Sequence, residues 1–235
     1  MTSGPAGPAD WDARYAAGAP WGSEPNVWVR AHTEDLRPGR ALDVASGDGR
    51  HALWLAAQGW DVDAVDFSAV AVERGSARAE RLAATGLLPG TVRWHVADVT
   101  THLPPAARSD LVLLAYLHLP APALATTLGH ATRALAPGGL LVLVGHDRSN
   151  LTHGVGGPQD PAILTDAATV AEVLAAAGLR VRLATVEERP VPDADRPARD
   201  TVVVAERQDG HPDPVARTRS APRSAAQITP TRHAG

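Results

Sequence analysis

The sequence contains no cysteine among its 235 residues, and it contains no lysine, since arginine supplies all 22 basic side chains. The absence of cysteine excludes disulfides, thiolate metal sites and cysteine nucleophiles. The absence of lysine excludes Schiff-base chemistry on a side-chain amine. Any catalysis must therefore rely on other side chains or on a cofactor.

Long apolar runs and a surplus of positive charge are lacking as well. No stretch approaches the ~20 apolar residues that a membrane-spanning helix requires, and Met1–Asp10 has neither the basic start nor the apolar segment of a signal peptide. The net charge of -4 gives no general attraction for nucleic-acid backbones. We therefore predict a cytoplasmic protein that acts on a small molecule and binds neither nucleic acid nor membranes.

The length and the hydrophobic fraction of 44% suit one globular domain. Residues 1–9 are rich in Gly, Pro and Ala, which predicts a flexible N-terminus. Residues 208–235 are polar and proline-rich without apolar periodicity, which predicts a disordered tail. The folded domain is therefore expected to span residues 10–207.

Within that span, short apolar runs alternate with helical patterns, as in a parallel sheet with helices on both faces. The connections point to Ser68 and Thr165 as helix N-caps and to a chain-breaking turn at Pro137-Gly-Gly139. The last two strands have no helix between them, so they should pair antiparallel. The predicted fold is an α/β, Rossmann-like doubly wound sheet, mostly parallel with an antiparallel C-terminal strand. The predicted strands are 41–44, 62–66, 92–96, 111–115, 140–144, 181–186 and 201–205.

A glycine-rich loop, Asp43–Gly49, follows the first predicted strand. Such a loop lets the backbone approach a ligand, and the next helix offers free N–H groups to an anion. Gly47-x-Gly49-x-x-Ala52, with Asp66 about 20 residues after the loop, also satisfies the dinucleotide fingerprint. An NAD(P)-dependent oxidoreductase is therefore a rival interpretation of the loop.

Three neighbouring features favour a sulfonium cofactor instead. Asp43 is the first residue of this segment and precedes its glycines. A carboxylate there stabilises an ammonium or sulfonium but not a pyrophosphate. Asp98 follows the third strand, at a position where it could accept from an adenine amino group. The Pro137-Gly-Gly139 segment precedes the fifth strand. The order of these features is a stronger signal than any one of them.

These residues resemble the class I S-adenosylmethionine-dependent methyltransferases over roughly residues 11–205. Residues 41–56 (ALDVASGDGRHALWLA) look like the first motif of that family, and residues 62–68 (VDAVDFS) look like its second strand. The segment from Trp11 to Pro25 looks more narrowly like the tellurite-resistance and thiol-type subgroup. Ala45 departs from the pattern, because it stands where the family has the first loop glycine.

The resemblance implies S-adenosylmethionine as cofactor and assigns its contacts by position. Asp43 and the loop would hold the methionine part, Asp66 the ribose and Asp98 the adenine amino group. Trp21, with Trp11, would close over the cofactor or merely fasten the N-terminus to the sheet. The implied cofactor-binding residues are Trp21, Asp43, Ala45, Ser46, Gly47, Asp48, Gly49, Asp66, Phe67, Asp98, Val99 and Ala115.

Candidates for a catalytic base lie at the ends of the fourth and fifth strands: Tyr116, His118 and His146. A histidine with a pKa near 6.5 is a natural proton acceptor, although capping and backbone hydrogen bonding are competing roles. No metal site is predicted, because His146, Asp147 and His153 have no regular ligand spacing. The acceptor could be a thiol, a metalloid, or a metabolite hydroxyl or amine. A non-catalytic cofactor-binding module is a third possibility.

Overall fold

A computed structural model describes residues 7–18, 21–102 and 105–208. The predicted tails lie largely outside these ranges, at residues 1–6 and 209–235. None of the described helices is long and apolar enough to cross a membrane. The helices are α1 (Pro8–Ala17), α2 (Val27–Thr33), α3 (Arg50–Ala57), α4 (Ala69–Ala84), α5 (Ala121–Ala134), α6 (Asn150–His153) and α7 (Ala167–Ala176). The strands are β1 (Arg40–Val44), β2 (Asp61–Asp66), β3 (Thr91–Val96), β4 (Ser109–Ala115), β5 (Leu135–His146), β6 (Leu179–Arg189) and β7 (Ala198–Arg207).

The seven strands form one sheet in the order β3-β2-β1-β4-β5-β7-β6. Strands β1 to β5 pair in parallel, and β7 pairs antiparallel with both β5 and β6. This confirms the predicted fold class. The strand order reverses between β1 and β4, and ligands of such sheets bind beyond the carboxyl ends of the strands at this point.

The central strands are apolar on both faces, because helices cover both. In β4, Val112 and Leu114 pack in one core with helices α5 and α7, whereas Leu111 and Leu113 pack in another with α2 and α3. This alternation follows from the two-residue period of a strand. Trp60, which is 2% exposed, is the largest side chain of the second core. The two cores fix the strand ends that carry the candidate site.

Three local predictions differ from the structure. Helix α1 begins at Pro8, inside the segment that we expected to be flexible. The N-cap of α7 is Asp166, whose side chain accepts from the Thr169 N–H, whereas the Thr165 hydroxyl donates to the His146 carbonyl. Residues 137–139 form an irregularity within β5 rather than a separate turn, because β5 already pairs with Ser109 at Leu135.

Candidate functional site

The loop between β1 and α3 contains three residues in the left-handed region of backbone conformation. Gly47 and Gly49 have φ values of 58° and 77°, which glycine adopts at little cost. Ala45 has a φ of 57° and carries a Cβ, which costs on the order of 1–2 kcal/mol. The substitution of the first loop glycine is therefore compatible with the turn, but the turn is strained.

Two buried carboxylates lie beneath this loop. Asp66, at the end of β2, accepts from the Gly47 N–H at 2.8 Å and from the Ser68 N–H at 2.9 Å. Asp43, in β1, is 1% exposed, and its Oδ2 atom has no hydrogen-bond partner among the described residues. No basic side chain in the described part of the chain lies within ion-pair distance of Asp43.

The electrostatic consequence is an unusually weak acid at the base of the site. Burial, followed by repulsion from Asp66, raises the pKa of Asp43 to about 7. Burial also raises the pKa of Asp66, against the opposing effect of its backbone hydrogen bonds. Arg50, at the start of α3, has its own pKa lowered by burial, and its positive charge favours the ionised form of Asp43 only weakly. A ligand cation would relieve this excess of negative charge.

Tyr15 of helix α1 covers the loop from outside. Its side chain is 4% exposed, and its hydroxyl occupies the space that a side chain at Gly47 would need. Burial and the neighbouring Asp66 and Asp48 raise the pKa of the Tyr15 hydroxyl, so this group stays protonated. The structure thus places a buried tyrosine against the loop, while the predicted closing role of Trp11 and Trp21 stays a prediction. Trp21 itself is half exposed, and its carbonyl accepts from Arg50 at 3.2 Å.

Helix α1 is held there by Asp12. Its Oδ1 atom accepts from the Ser68 hydroxyl at 2.6 Å and from the Val70 N–H at 3.2 Å, both at the start of α4. Ser68 itself caps α4, as predicted.

We expect Asp12→Ala to loosen α1 by about 1–2 kcal/mol, since both hydrogen bonds of Asp12 are lost. Hydrogen exchange should then accelerate in residues 8–17 and not in residues 121–134. Unchanged exchange in α1 would contradict this assignment.

The residues predicted on the adenine side lie beside β2 and β3. Phe67 follows Asp66 and is half-buried. Asp98 is exposed, and its Oδ1 atom accepts from the Thr100 N–H and hydroxyl, at 2.8 Å and 2.7 Å. Val99 packs against the core, and its carbonyl lies 3.2 Å from His130 Nδ1. Asp98 therefore stabilises a turn through its Oδ1 atom, and its role towards adenine stays a prediction.

A second polar cluster lies at the ends of β4, β5 and β7. Tyr116 directly follows Ala115, the last residue of β4, with a φ of 58°, which is costly for a bulky residue. Its hydroxyl donates to Asp200 Oδ2 at 2.8 Å and accepts from the Asn26 amide at 2.8 Å. Arg189 Nε donates to the same Asp200 oxygen at 2.7 Å. Burial and the nearby Asp200 raise the pKa of Tyr116, so its hydroxyl stays protonated at neutral pH.

The two candidate histidines lie together in this cluster. The rings of His118 and His146 are stacked, with centroids 5.6 Å apart and an interplanar angle of 8°. The Nδ1 atom of His146 lies 3.4 Å from Oδ1 of Asp200, its cross-strand partner in the β5–β7 register. Burial and the neighbouring His146 lower the pKa of His118 to about 4. The structure therefore brings all three predicted catalytic candidates into one group.

Unpartnered buried atoms mark both clusters. Among the described residues, eight buried side-chain nitrogen or oxygen atoms lack a hydrogen-bond partner, and five of them are at this edge of the sheet. Buried polar groups without partners are rare in folded proteins, and a missing ligand is one explanation. These five are Asp43 Oδ2, Ser46 Oγ, His118 Nε2, His146 Nδ1 and Asp200 Oδ1. The last two face each other, so a missing ligand is an explanation for the first three only.

Sequence reasoning did not find several residues of this site. Arg189 and Asp200 lie in strands that were assigned only to the core, and Tyr15 and Asn26 precede the first motif. Asp200 had a local signal, because it is a lone carboxylate beside the apolar run 201–205. Its pairing with His146 depends on strand order, which no local pattern contains. No group of three metal-ligating side chains occurs in the parts of the chain that the structure describes.

Comparison with known proteins gives a family match over residues 41–139, which fit the model described as "Methyltransferase domain". No curated protein matches the chain. The match contains the glycine loop, both buried carboxylates and the ends of β3 and β4.

Solved structures share the fold at low sequence identity. An S-adenosylmethionine-dependent methyltransferase from Methanosarcina mazei is 16% identical, with a TM-score of 0.62 over 79% of this chain and 99% of its own. TehB from Haemophilus influenzae is 14% identical, with a TM-score of 0.63 over 85% of this chain and 66% of its own. Magnesium protoporphyrin IX methyltransferase from Synechocystis, solved with bound cofactor, is 18% identical, with a TM-score of 0.55 over 86% and 79%.

Proposed function

We propose that the chain transfers a methyl group from S-adenosylmethionine to a small molecule, since it has the fold of S-adenosylmethionine-dependent methyltransferases and residues 41–139 match the methyltransferase-domain model. The observation that carries this proposal is the buried Asp43 carboxylate next to Asp66, because the Oδ2 atom of Asp43 has no hydrogen-bond partner among the described residues. Two neighbouring carboxylates favour a ligand that brings positive charge, and S-adenosylmethionine carries an ammonium and a sulfonium.

The same observation argues against the rival dinucleotide. A pyrophosphate would need free N–H groups in the loop, but the Gly47 N–H already donates to Asp66. It would also bring negative charge next to Asp43 and Asp66, where burial and then repulsion from Asp66 already raise the pKa of Asp43. The loop therefore fits a cationic ligand better than an NAD(P) pyrophosphate, although its glycine spacing satisfies both.

The proposed contacts divide the cofactor among three groups of residues. When bound, S-adenosylmethionine supplies an electrophilic methyl group on a positively charged sulfur. Asp43 and the backbone of residues 45–49 would hold the methionine part, with the unpartnered Ser46 hydroxyl as a further donor. Asp66 would hold the ribose, while Phe67, Asp98 and Val99 would hold the adenine. Tyr15, rather than Trp21, would exclude water from the loop, because it is the buried aromatic residue there.

The acceptor side of the proposal rests on the second cluster. Tyr116, His118 and His146 follow Ala115 and Val144, at the strand ends beside the switch point. A base positioned here contributes typically about 10²–10⁴-fold to proton transfer. We keep the predictions of a small-molecule acceptor and of a cytoplasmic protein, which rest on the charge and composition of the sequence.

Calorimetric titration with S-adenosylmethionine and with NADH tests the proposal directly. We expect binding of the first, accompanied by quenching of tryptophan fluorescence, and no binding of the second. Release of S-adenosylhomocysteine with thiols, phenols, amines or metalloid salts would then identify the acceptor class. Binding of NADH without binding of S-adenosylmethionine would refute the proposed function. Binding without turnover on any acceptor would favour the non-catalytic module.

A further inference from the structure

The His146–Asp200 pair provides an oriented base, and its surroundings restrict the acceptor. We propose that His146 accepts the proton of the methyl acceptor, that Asp200 positions and stabilises its ring, and that the acceptor is therefore a hydroxyl or thiol compound. This inference rests on the proposed function, since it concerns the acceptor side of the same site.

The hydrogen bonds of Asp200 determine how the His146 ring is protonated. Its Oδ2 atom already accepts from Tyr116 and from Arg189, whereas its Oδ1 atom has no partner and faces His146 Nδ1 at 3.4 Å. An Nδ1 lone pair facing a carboxylate oxygen would be repulsive, so the proton belongs on Nδ1. The Nε2 atom then carries the lone pair, and a small rotation of the ring completes the Nδ1–H bond.

The packing around the ring places a glycine beside its Nε2 atom. His118 stacks on the ring, and a Cβ at Gly157 would lie 2.7 Å from Cδ2 and 2.9 Å from Nε2 of His146, so only a residue without a side chain leaves space there. The His146 side chain remains 13% exposed although its Nδ1 atom is buried, so the exposed part lies elsewhere on the ring. Residues 154–158, which the sequence analysis left as either pocket wall or connection, therefore lie beside the base.

The other titratable groups of the cluster are poorer bases. His118 is buried, and its pKa of about 4 leaves it a weak proton acceptor at neutral pH. The Tyr116 hydroxyl is engaged by Asp200, Asn26 and Arg189. Arg189 forms an ion pair with Asp200 and is not a proton acceptor. Arg50 is close enough to interact by charge with Tyr116 and Arg189, and it is not a proton acceptor either.

The reaction balances with one proton transferred. The acceptor's oxygen or sulfur forms a bond to the methyl carbon, and the carbon–sulfur bond of the cofactor breaks with its electron pair remaining on sulfur. The proton of the acceptor passes to His146 Nε2 and from there to water. Asp200 stabilises the resulting imidazolium without accepting the proton itself. A neutral hydroxyl or thiol therefore gains more from this arrangement than an anion that is already deprotonated. It also gains more than a neutral amine, whose lone pair can attack before the proton is lost.

The first experiment measures the imidazole itself. The tautomer of the His146 ring is determined by nitrogen NMR in the wild type and in Asp200→Asn, both without cofactor. We expect the proton on Nδ1 in the wild type and a loss of this preference in the variant, because the carboxylate that accepts from Nδ1–H is removed. An unchanged tautomer in a folded variant would overturn the role of Asp200. If Asp200→Asn does not fold, the wild type is decisive by itself, and a ring protonated on Nε2 has the same meaning.

The second experiment measures kcat for His146→Gln, with His153→Gln on α6 as the matched control at an exposed histidine. The probe is 4-methylphenol, which is neutral at neutral pH, compared with 4-nitrobenzenethiol, which is ionised there. We expect kcat to fall about 100-fold for 4-methylphenol and less than about 5-fold for 4-nitrobenzenethiol. The cofactor Kd should stay within about 3-fold, and His153→Gln should match the wild type.

The outcomes separate the two proposals. If S-adenosylmethionine does not bind the wild type, the proposed function fails. If it binds and the probes are methylated, but His146→Gln keeps its kcat on 4-methylphenol, only the inference about the base fails. If amines or metalloid salts are methylated and no phenol or thiol is, the acceptor class proposed here is wrong.

Discussion

Asp43→Asn should make the protein more stable at pH 8 and at the same time strongly weaken cofactor binding. Asp43 is held in the folded chain with a pKa of about 7, whereas an unfolded aspartate titrates near 3.8. Between these values the folded state binds more protons than the unfolded state, so this group lowers stability as the pH rises from 4 to 7. Above pH 7 the full cost of burying the ionised carboxylate is present.

The asparagine removes that cost, which corresponds to at most about 4 kcal/mol. We expect a gain of about 2 kcal/mol or more in the free energy of unfolding by urea at pH 8, shrinking towards zero near pH 4. Affinity for S-adenosylmethionine should fall by about 100-fold or more, because the cation loses its buried partner. Wild-type affinity should itself weaken as the pH falls below 7.

The control is Asp35→Asn, at an exposed carboxylate far from the loop, which should change neither quantity. A simple folding defect cannot mimic the expected result, since it would lower stability and binding together. An Asp43→Asn variant that is less stable than the wild type at pH 8 would contradict the cost of burying the ionised carboxylate. A variant that binds the cofactor normally would show that this carboxylate does not hold the cofactor cation.

Gly75→Ala should destabilise the protein by about 2–4 kcal/mol, the opposite of what helix propensity predicts. Gly75 lies within α4, where replacing glycine by alanine usually stabilises by up to about 1 kcal/mol. The Trp94 indole from β3 occupies the space of the added methyl group, and the Asp48 carbonyl oxygen would lie 3.1 Å from it. The indole therefore must move, or the loop residue Asp48 must.

Gly129→Ala in α5 is the matched control, since its nearest contact would be the flexible Arg133 side chain at 3.7 Å. This substitution should stabilise by about 0.5–1 kcal/mol. Thermal unfolding of both variants, and of Gly75→Ala in a Trp94→Leu background, measures the coupling between Gly75 and Trp94. A Gly75→Ala cost that is the same with tryptophan and with leucine would show that the indole is not the obstacle.

The sequence predicted the local elements well because each carries its own physical signal. Ser68 caps α4 through its own hydroxyl, and the apolar runs of β1 and β4 are recognisable without their neighbours. The misassigned Thr165 cap shows the limit of this reasoning. Thr165 and Asp166 are both good caps in isolation, and the pairing of Thr165 with His146 left the role to Asp166.

The glycine loop and its acids were likewise present in the linear pattern, because a parallel sheet places the ends of its strands at one edge. That pattern alone is compatible with the binding of a pyrophosphate as well as of a sulfonium cofactor. The burial of Asp43 without a partner, and the use of the Gly47 N–H by Asp66, are tertiary facts that favour the cation.

By itself, the sequence determined the alternation of strands and helices, the edge of the sheet where ligands bind and the carboxylates that lie at that edge. These follow from side-chain periodicity and from short-range caps and turns. Only the tertiary structure decided that Asp200 lies beside His146, that Arg189 and Asn26 hold Tyr116, and that Tyr15 covers the loop. These contacts join residues that are 32 to 90 positions apart along the chain or lie on different strands. Strand order and helix docking set such contacts, and they depend on the burial of the whole core.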